Sequence, residues 1–489
     1  MLDLIRTGYG VALFGTLLLS LGPSRWFFVS ERFGGYAKSS PGIDRFQNPR
    51  LLPVVLFVWF LSAIGLILGY HSVIAALVNL ILCHYFFIQM RWKGVLRGMG
   101  APGYMSYWMG AYLFFQEYAR FYDPTGSLQR ISLMAFRSDF AIIMLSAGVY
   151  KILSGYPKNH GMNYGMVNPF WGKYWRYFGK LHTQHLSFRL LNHLGYATEI
   201  AAGFLLLFPS LELYGALLIF FTFLFIATQI RLGFLCEMVM LGSLIYLQKG
   251  GIADQWLQAW WPKFIPVTQA SPVAMPFLLQ VNEILIVFFL IYIALLIPVN
   301  AGLYYNFLAR KPLTKPFQKL LELYTNTLGA IIWRVFTVDV VNFYVQIWVE
   351  NKVTGNKQLY SVPGSLDWKS RFRYCHVGEF VGLTSVFTTL KYYPNQPSLF
   401  QERLLRYAKT VPCPAGFKLV FEYVSIQQKE ERFHHVPIAQ FVVDLEEEKI
   451  EESAILPEMR GLLRSAHPTS PVHEAARPGT YAPSPSINT

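Results

Sequence analysis

The stretch MPFLLQVNEILIVFFLIYIALL (Met275–Leu296) is a long apolar run with one ionisable residue, Glu283. An α-helix rises about 1.5 Å per residue, so a run of this length can cross the roughly 30 Å hydrocarbon core of a bilayer. The stretch therefore predicts a transmembrane helix. It also separates an apolar N-terminal part of the chain from a more polar C-terminal third.

Eight further apolar runs precede it, at Gly8–Gly22, Leu51–Tyr70, Ser72–Met90, Tyr104–Phe121, Ile131–Leu153, Leu190–Phe208, Leu213–Gln229 and Leu232–Leu247. The composition agrees with a membrane protein, since 14% of the 489 residues are charged against about 25% in soluble domains. We therefore predict an all-α polytopic membrane bundle of about nine transmembrane helices over residues 1–305. The net charge of +14 is spread over the loops, which argues against nucleic acid as a partner.

The basic residues concentrate on alternate loops, including Glu31–Arg50, Arg91–Gly103 and Ser154–Arg189. Loops rich in Lys and Arg stay in the cytoplasm, so the pattern predicts a multi-pass protein of the cell or inner membrane. The C-terminal third would then be cytoplasmic. The loop Gly155–Leu186 is dense in aromatic residues and lysines, as expected of a segment that lies in the membrane interface. We call this segment the aromatic loop.

The C-terminal third divides into three predicted parts. Residues 306–342 resemble an amphipathic helical link, and residues 343–453 a small α+β extramembrane domain. Within that domain, apolar and polar residues alternate along Phe343–Tyr360 on both sides of a Thr-Gly-Asn centre. This pattern predicts a β-hairpin. Residues 454–489 are rich in Pro, Ser and Thr and predict a disordered tail.

Ionisable and amide side chains within apolar runs are costly and mark candidate sites. The candidates are Lys151, Glu199 and Glu237 for catalysis, and Arg137, Asp139, Gln229 and Arg231 for binding. The aromatic loop adds His160, Tyr164, His182 and His185 on the side of Lys151. No metal-ligand spacing occurs in the sequence.

Two interpretations of Lys151 remain open. It can form a structural ion pair with Glu199, or it can act as a base, because burial among apolar helices lowers the pKa of a lysine in general. A close carboxylate would oppose the second role by favouring the charged form.

Two stretches, FRSDFAIIMLSAGVYKILSGYPKNHGMNY (Phe136–Tyr164) and LLNHLGYATEIAAGFLLLF (Leu190–Phe208), resemble the HTTM family. This family contains vitamin K-dependent γ-glutamyl carboxylase-like membrane proteins. The later stretch VQIWVENKVTGNKQLYSVPG (Val345–Gly364) resembles the strand pair that follows the family's membrane domain. The resemblance implies that Lys151 is a base acting on a reduced quinone. This sequence differs from the carboxylase near Met105 and Phe225, where the carboxylase has histidines.

These departures favour a diverged relative over a true glutamate carboxylase. Such a relative would be an enzyme acting on a quinone, a lipid or another membrane-presented substrate. The alternative is a non-catalytic assembly factor or complex subunit with a membrane protein as its partner. The lack of inverted repeats in the sequence disfavours a transporter.

Overall fold

The fold is known from a computed structural model. The structure describes residues 1–21, 28–35, 42, 44–89, 100–158, 161–247, 251, 254–255, 259, 275–309, 313–329, 332, 341–360, 375–392 and 396–453. The predicted tail, residues 454–489, lies outside them, as does most of the link after residue 329.

Helices dominate the first two thirds of the chain. They are α1 (Leu2–Ser20), α2 (Leu52–Leu68), α3 (Ser72–Cys83), α4 (Gly100–Tyr122), α5 (Ser127–Leu153), α6 (Met162–Val167), α7 (Trp175–Phe178), α8 (Leu186–Leu205), α9 (Glu212–Gln229), α10 (Leu235–Ser243), α11 (Pro276–Ala309) and α12 (Lys315–Leu323). Helix α3 continues as a π-helical turn, His84–Gln89, and α12 as another, Tyr324–Leu328.

The prediction of about nine transmembrane helices is wrong. Among the described residues, three helices are long and apolar enough to cross a membrane, namely α5, α9 and α11. Several predicted spans are shorter helices, because the apolar run continues beyond the point where the α-helix ends. Helix α2 has 17 residues, and the run Leu232–Leu247 contains the nine-residue α10 followed by a short 3-10 turn. Helix α4 is continuous over 23 residues but is less apolar, with the buried Glu117 and Arg120 in its last part.

Small residues let α5 pack closely against α8. A Cβ atom on Gly203 would lie 2.8 Å from the backbone nitrogen of Leu145, so the two helix backbones are almost in contact there. On another side α5 packs against α11, where the Tyr304 hydroxyl donates to the Ser146 carbonyl at 2.6 Å. Helix α5 is therefore a central helix, contacted from two directions.

The C-terminal part is built on a five-stranded antiparallel sheet with the order β2-β1-β3-β4-β5. The strands are β1 (Phe343–Asn351), β2 (Lys357–Leu359), β3 (Phe417–Lys429), β4 (Arg432–Asp444) and β5 (Lys449–Ser453). The pairing of β1 with β2 confirms the predicted hairpin. Helices α13 (Cys375–Tyr392) and α14 (Pro397–Ala408) come between β2 and β3 in the chain.

The two faces of this sheet have different neighbours, because side chains alternate along each strand. Phe343, Val345 and Phe421 form one core with residues of α13 and α14, such as Phe387. The opposite face carries Tyr344, Val424, Ile426 and Phe433, which belong to the same buried core as the helical bundle. The sheet is thus packed between its own two helices and the bundle.

Candidate functional site

Lys151 and Glu199 form a buried ion pair between α5 and α8. The Lys151 Nζ atom donates to Glu199 Oε1 at 2.5 Å and to the Gly195 carbonyl at 3.2 Å. The two side chains are 4% and 2% exposed. The other carboxylate oxygen, Glu199 Oε2, is buried and accepts no hydrogen bond from any described residue. The pair therefore leaves one buried carboxylate oxygen without a hydrogen-bond donor among the described residues.

Tyr156 lies beside the Lys151–Glu199 pair. It lies in a 3-10 turn, Tyr156–Lys158, just beyond the end of α5, and is fully buried. The Lys151 ammonium lies 5.8 Å from the centre of its ring, within the range of a cation–π contact. Gly161 approaches the same ring so closely that a Cβ atom would lie 2.5 Å from it. The start of the aromatic loop is thereby held against the Lys151 site.

The predicted binding residues Asp139 and Arg137 lie elsewhere on α5, 12 and 14 residues before Lys151, or about 18 and 21 Å away by the helical rise. Arg137 pairs with Glu212 at 3.1 Å and donates to the Ile245 carbonyl. Asp139 Oδ2 accepts hydrogen bonds from Trp108 Nε1 and the Tyr292 hydroxyl, each at 2.8 Å. The structure does not bring these residues together with Lys151.

Gln229, Arg231 and Glu237 lie near the junction of α9 and α10. Arg231 Nη1 donates to three carbonyls of the aromatic loop, those of Pro169, Phe170 and Gly172, at 3.0–3.2 Å. The Gln229 carbonyl accepts from the backbone amide of Lys173 at 2.9 Å. Burial lowers the pKa of Lys173, and the nearby Glu237 carboxylate acts in the opposite direction. These groups hold the aromatic loop against the bundle.

The predicted loop residues Tyr164, His182 and His185 do not contact Lys151, and His160 lies outside the described residues. His185 caps α8, since its Nδ1 accepts from the Ser187 amide at 3.3 Å. The Nδ1 atom of His182 accepts from the Gln184 amide, so its Nε2 atom carries the proton and donates to Glu431. Tyr164 packs edge-on against Phe433.

Most of these loop residues therefore dock the C-terminal sheet. Asn168, for which the sequence suggested no role, donates through Nδ2 to the carbonyls of Val341 and Phe343 at 2.8 and 2.9 Å. The Thr183 amide donates to the Glu431 carbonyl at 2.8 Å. Ring contacts join Phe188 to Phe433 and Trp175 to His435. The sheet thus covers the aromatic loop, whose start packs against Tyr156 beside Lys151.

The residues around Lys151 suit a hydroxyl-bearing ligand better than a metal ion. Within the described ranges no group of three or more His, Cys, Asp or Glu side chains could hold a metal. A hydroxyl group, such as that of a reduced quinone, could donate to the open Glu199 Oε2 atom. Lys151 and Glu199 are the residues that would hold such a group, with the Tyr156 ring below them.

Several partners of the predicted residues and of the aromatic loop were missed by sequence reasoning, namely Tyr156, Asn168, Trp108, Tyr292 and Glu431. Their partners lie far away in the sequence, and only the aromatic density of the 155–186 segment signalled that it packs against something. Comparison with protein-family models, with curated proteins and with solved structures yields no match.

Proposed function

We propose that this chain is a membrane enzyme, a diverged member of the HTTM family, in which Lys151 transfers a proton from a hydroxyl-bearing, membrane-dissolved substrate. The observation that carries the proposal is the buried Lys151–Glu199 pair with its open Oε2 atom. A buried ion pair gives little net stability compared with apolar residues of the same size. Its presence between two close helices is therefore better explained by chemistry than by packing.

In the proposed reaction the Lys151 ammonium first passes a proton to Glu199 Oε1, which lies 2.5 Å away. The resulting amine then accepts the proton of the substrate hydroxyl, which leaves an oxyanion beside the re-formed ammonium. Glu199 Oε2 orients the hydroxyl before transfer. A reduced quinone would supply an acidic hydroxyl of this kind.

We further propose that the protein is a multi-pass protein of the cell or inner membrane. Three helices, α5, α9 and α11, are apolar and long enough to cross it. The excess of Lys and Arg in the loops on the Lys151 side supports a cytoplasmic position for the C-terminal sheet.

The test is oxygen uptake by the purified protein in the presence of a reduced naphthoquinone, because the oxyanion left by the proton transfer is oxidised by O2 faster than the neutral hydroquinone. Lys151→Met should abolish the activity, and Glu199→Gln should lower it strongly, because an amide cannot accept the proton of Lys151. Lys158→Met is the matched control, since Lys158 is exposed in the adjoining turn and should be dispensable. Equal activity in Lys151→Met and the wild-type protein would refute the role of Lys151.

A non-catalytic role as a membrane assembly factor is the second candidate, and one observation favours it. The predicted binding residues Arg137, Asp139 and Arg231 all hydrogen-bond within the protein, as residues do when they stabilise a fold. This role requires a stoichiometric membrane-protein partner. Purification in mild detergent followed by mass spectrometry should recover that partner, and recovery of the chain alone would reject this candidate.

A further inference from the structure

An apolar groove lies where the end of α1 meets the start of α2. It has a volume of 640 Å³, within the range typical of small-molecule sites. Its walls are made only of apolar side chains, including Leu21, Val29, Pro49, Leu52, Leu56 and Phe60. The groove opens to the surface along α2, where Val54 and Phe57 are 60% and 62% exposed. Such a surface suits contact with lipid chains.

Two arginines lie in the chain segment that leads into this groove. Arg50 lies between Pro49 and Leu52, which both line the groove, and Arg45 lies five residues earlier in the 3-10 turn Asp44–Gln47. Both are exposed, and neither side chain has a hydrogen bond or ion pair with a described residue. The nearby acids are engaged elsewhere, since Asp44 is buried and bonded to Ser30 and Glu31 pairs with Arg406 at 3.0 Å. Among the described residues, no acid therefore forms an ion pair with either arginine, and this segment carries two exposed positive charges.

We propose that this groove binds an anionic phospholipid, with one acyl chain between α1 and α2 and the headgroup phosphate on Arg50 and Arg45. Charge complementarity favours this occupant over a neutral lipid, because a basic side chain near an anionic membrane surface adds about 1 kcal/mol. Arginine also matches the geometry of phosphate oxygens through paired N–H donors. The proposal does not depend on the chemistry of Lys151.

The experiment measures lipid retention by native mass spectrometry of the full chain in detergent. Palmitoyl-oleoyl phosphatidylglycerol is compared with the phosphatidylcholine that carries the same chains. The wild-type protein should retain the anionic lipid preferentially. Arg45→Gln and Arg50→Gln should each reduce this preference about fivefold, while leaving retention of phosphatidylcholine unchanged.

Two further variants separate headgroup from chain binding. Leu56→Trp fills the groove and should reduce retention of both lipids. Arg130→Gln is the control, since Arg130 is an exposed arginine in the first turn of α5 and does not line the groove. Equal retention of the two lipids by the wild-type protein would overturn the proposal. An equal loss in Arg130→Gln would do the same, because it would assign the preference to net charge alone.

Discussion

Gly148 of α5 lies so close to α8 that a Cβ atom placed on it would be 2.4 Å from Cγ1 of Ile200 and 3.0 Å from the Ile200 backbone nitrogen. The contact lies one turn before Lys151 and one residue after Glu199. The short distance between these two helices therefore decides whether the ion pair can form with its observed geometry.

Gly148→Ala should push α5 and α8 apart and destabilise the protein by about 1–3 kcal/mol, as overpacking does. Thermal unfolding in detergent measures the change. Gly195→Ala is the matched control on α8, because a Cβ there would meet Met162 at an ordinary 3.5 Å. Similar unfolding temperatures for the two variants would show that helix spacing does not matter at this point.

Removing one partner of the Lys151–Glu199 pair should cost roughly 3–5 kcal/mol, because the other charge remains buried without compensation. Lys151→Met and Glu199→Leu should each show this loss in thermal unfolding. The double variant should recover most of it, since no charge is left behind. A double variant that is as unstable as the sum of the single variants would contradict the coupling.

Asp139→Leu should destabilise the protein by about 2–6 kcal/mol, because it leaves two buried donors, Trp108 Nε1 and the Tyr292 hydroxyl, without an acceptor. Asp139→Asn keeps an acceptor oxygen and should cost much less. Chemical unfolding followed by tryptophan fluorescence compares the two variants. An equal loss in both would assign the role of Asp139 to its charge instead of its hydrogen bonds.

Asn168→Ala should weaken docking of the sheet on the aromatic loop by about 1–3 kcal/mol, since two backbone carbonyls lose their donor. Hydrogen exchange in β1 should rise in this variant. Asn356→Ala, at the exposed turn between β1 and β2, should leave exchange unchanged near Phe343. If exchange in β1 is the same in both variants, Asn168 does not hold the sheet.

Docking of the sheet should also weaken in acid. Burial, with a smaller contribution from His434, lowers the pKa of His435 below its usual value of 6.5. As the pH falls, the His435 imidazole is therefore protonated in the undocked state before it is protonated in the docked state. The docked state loses stability as the pH falls from about 6.5 through its own, lower pKa. The groups facing His435 are Trp175 and the Tyr344 hydroxyl.

Hydrogen exchange of the β3–β4 hairpin at about pH 7.5 and about pH 5.5 measures this effect, after correction for intrinsic rates. The wild-type hairpin should lose protection at the lower pH, whereas His435→Gln should respond much less. His182→Gln serves as a second reference, because it removes the contact with Glu431 and leaves His435 in place. Unchanged protection in the wild-type protein would reject the role of His435.

The contact between Lys151 and Glu199 could be predicted from the sequence, because two opposite charges in neighbouring apolar runs have few other partners. The partners of Arg137 and Asp139 were not predictable in the same way. Glu212 lies just outside the predicted run Leu213–Gln229, and Trp108 and Tyr292 carry no charge that would identify them as partners of a carboxylate. Asn168 binds backbone carbonyls, which have no signature in a sequence.

The number of spans was overestimated for a physical reason. Hydropathy shows where the chain is apolar, but it does not show where an α-helix changes into a π-helical or 3-10 turn. The run Ser72–Met90 contains such a change at His84, where the ring bonds to the Thr327 carbonyl of the second π-helical turn. That contact joins parts of the chain 243 residues apart, which local periodicity cannot reveal.

The docking of Glu431 on His182 has a consequence for biosynthesis. The two residues are 249 positions apart, so at 5–20 residues per second the aromatic loop leaves the ribosome roughly 12–50 s before the hairpin that covers it. During that interval Phe170, Trp175 and Phe188 have no sheet to pack against. A chain whose synthesis stops before residue 417 would keep this aromatic surface uncovered, and would be a substrate for membrane quality control.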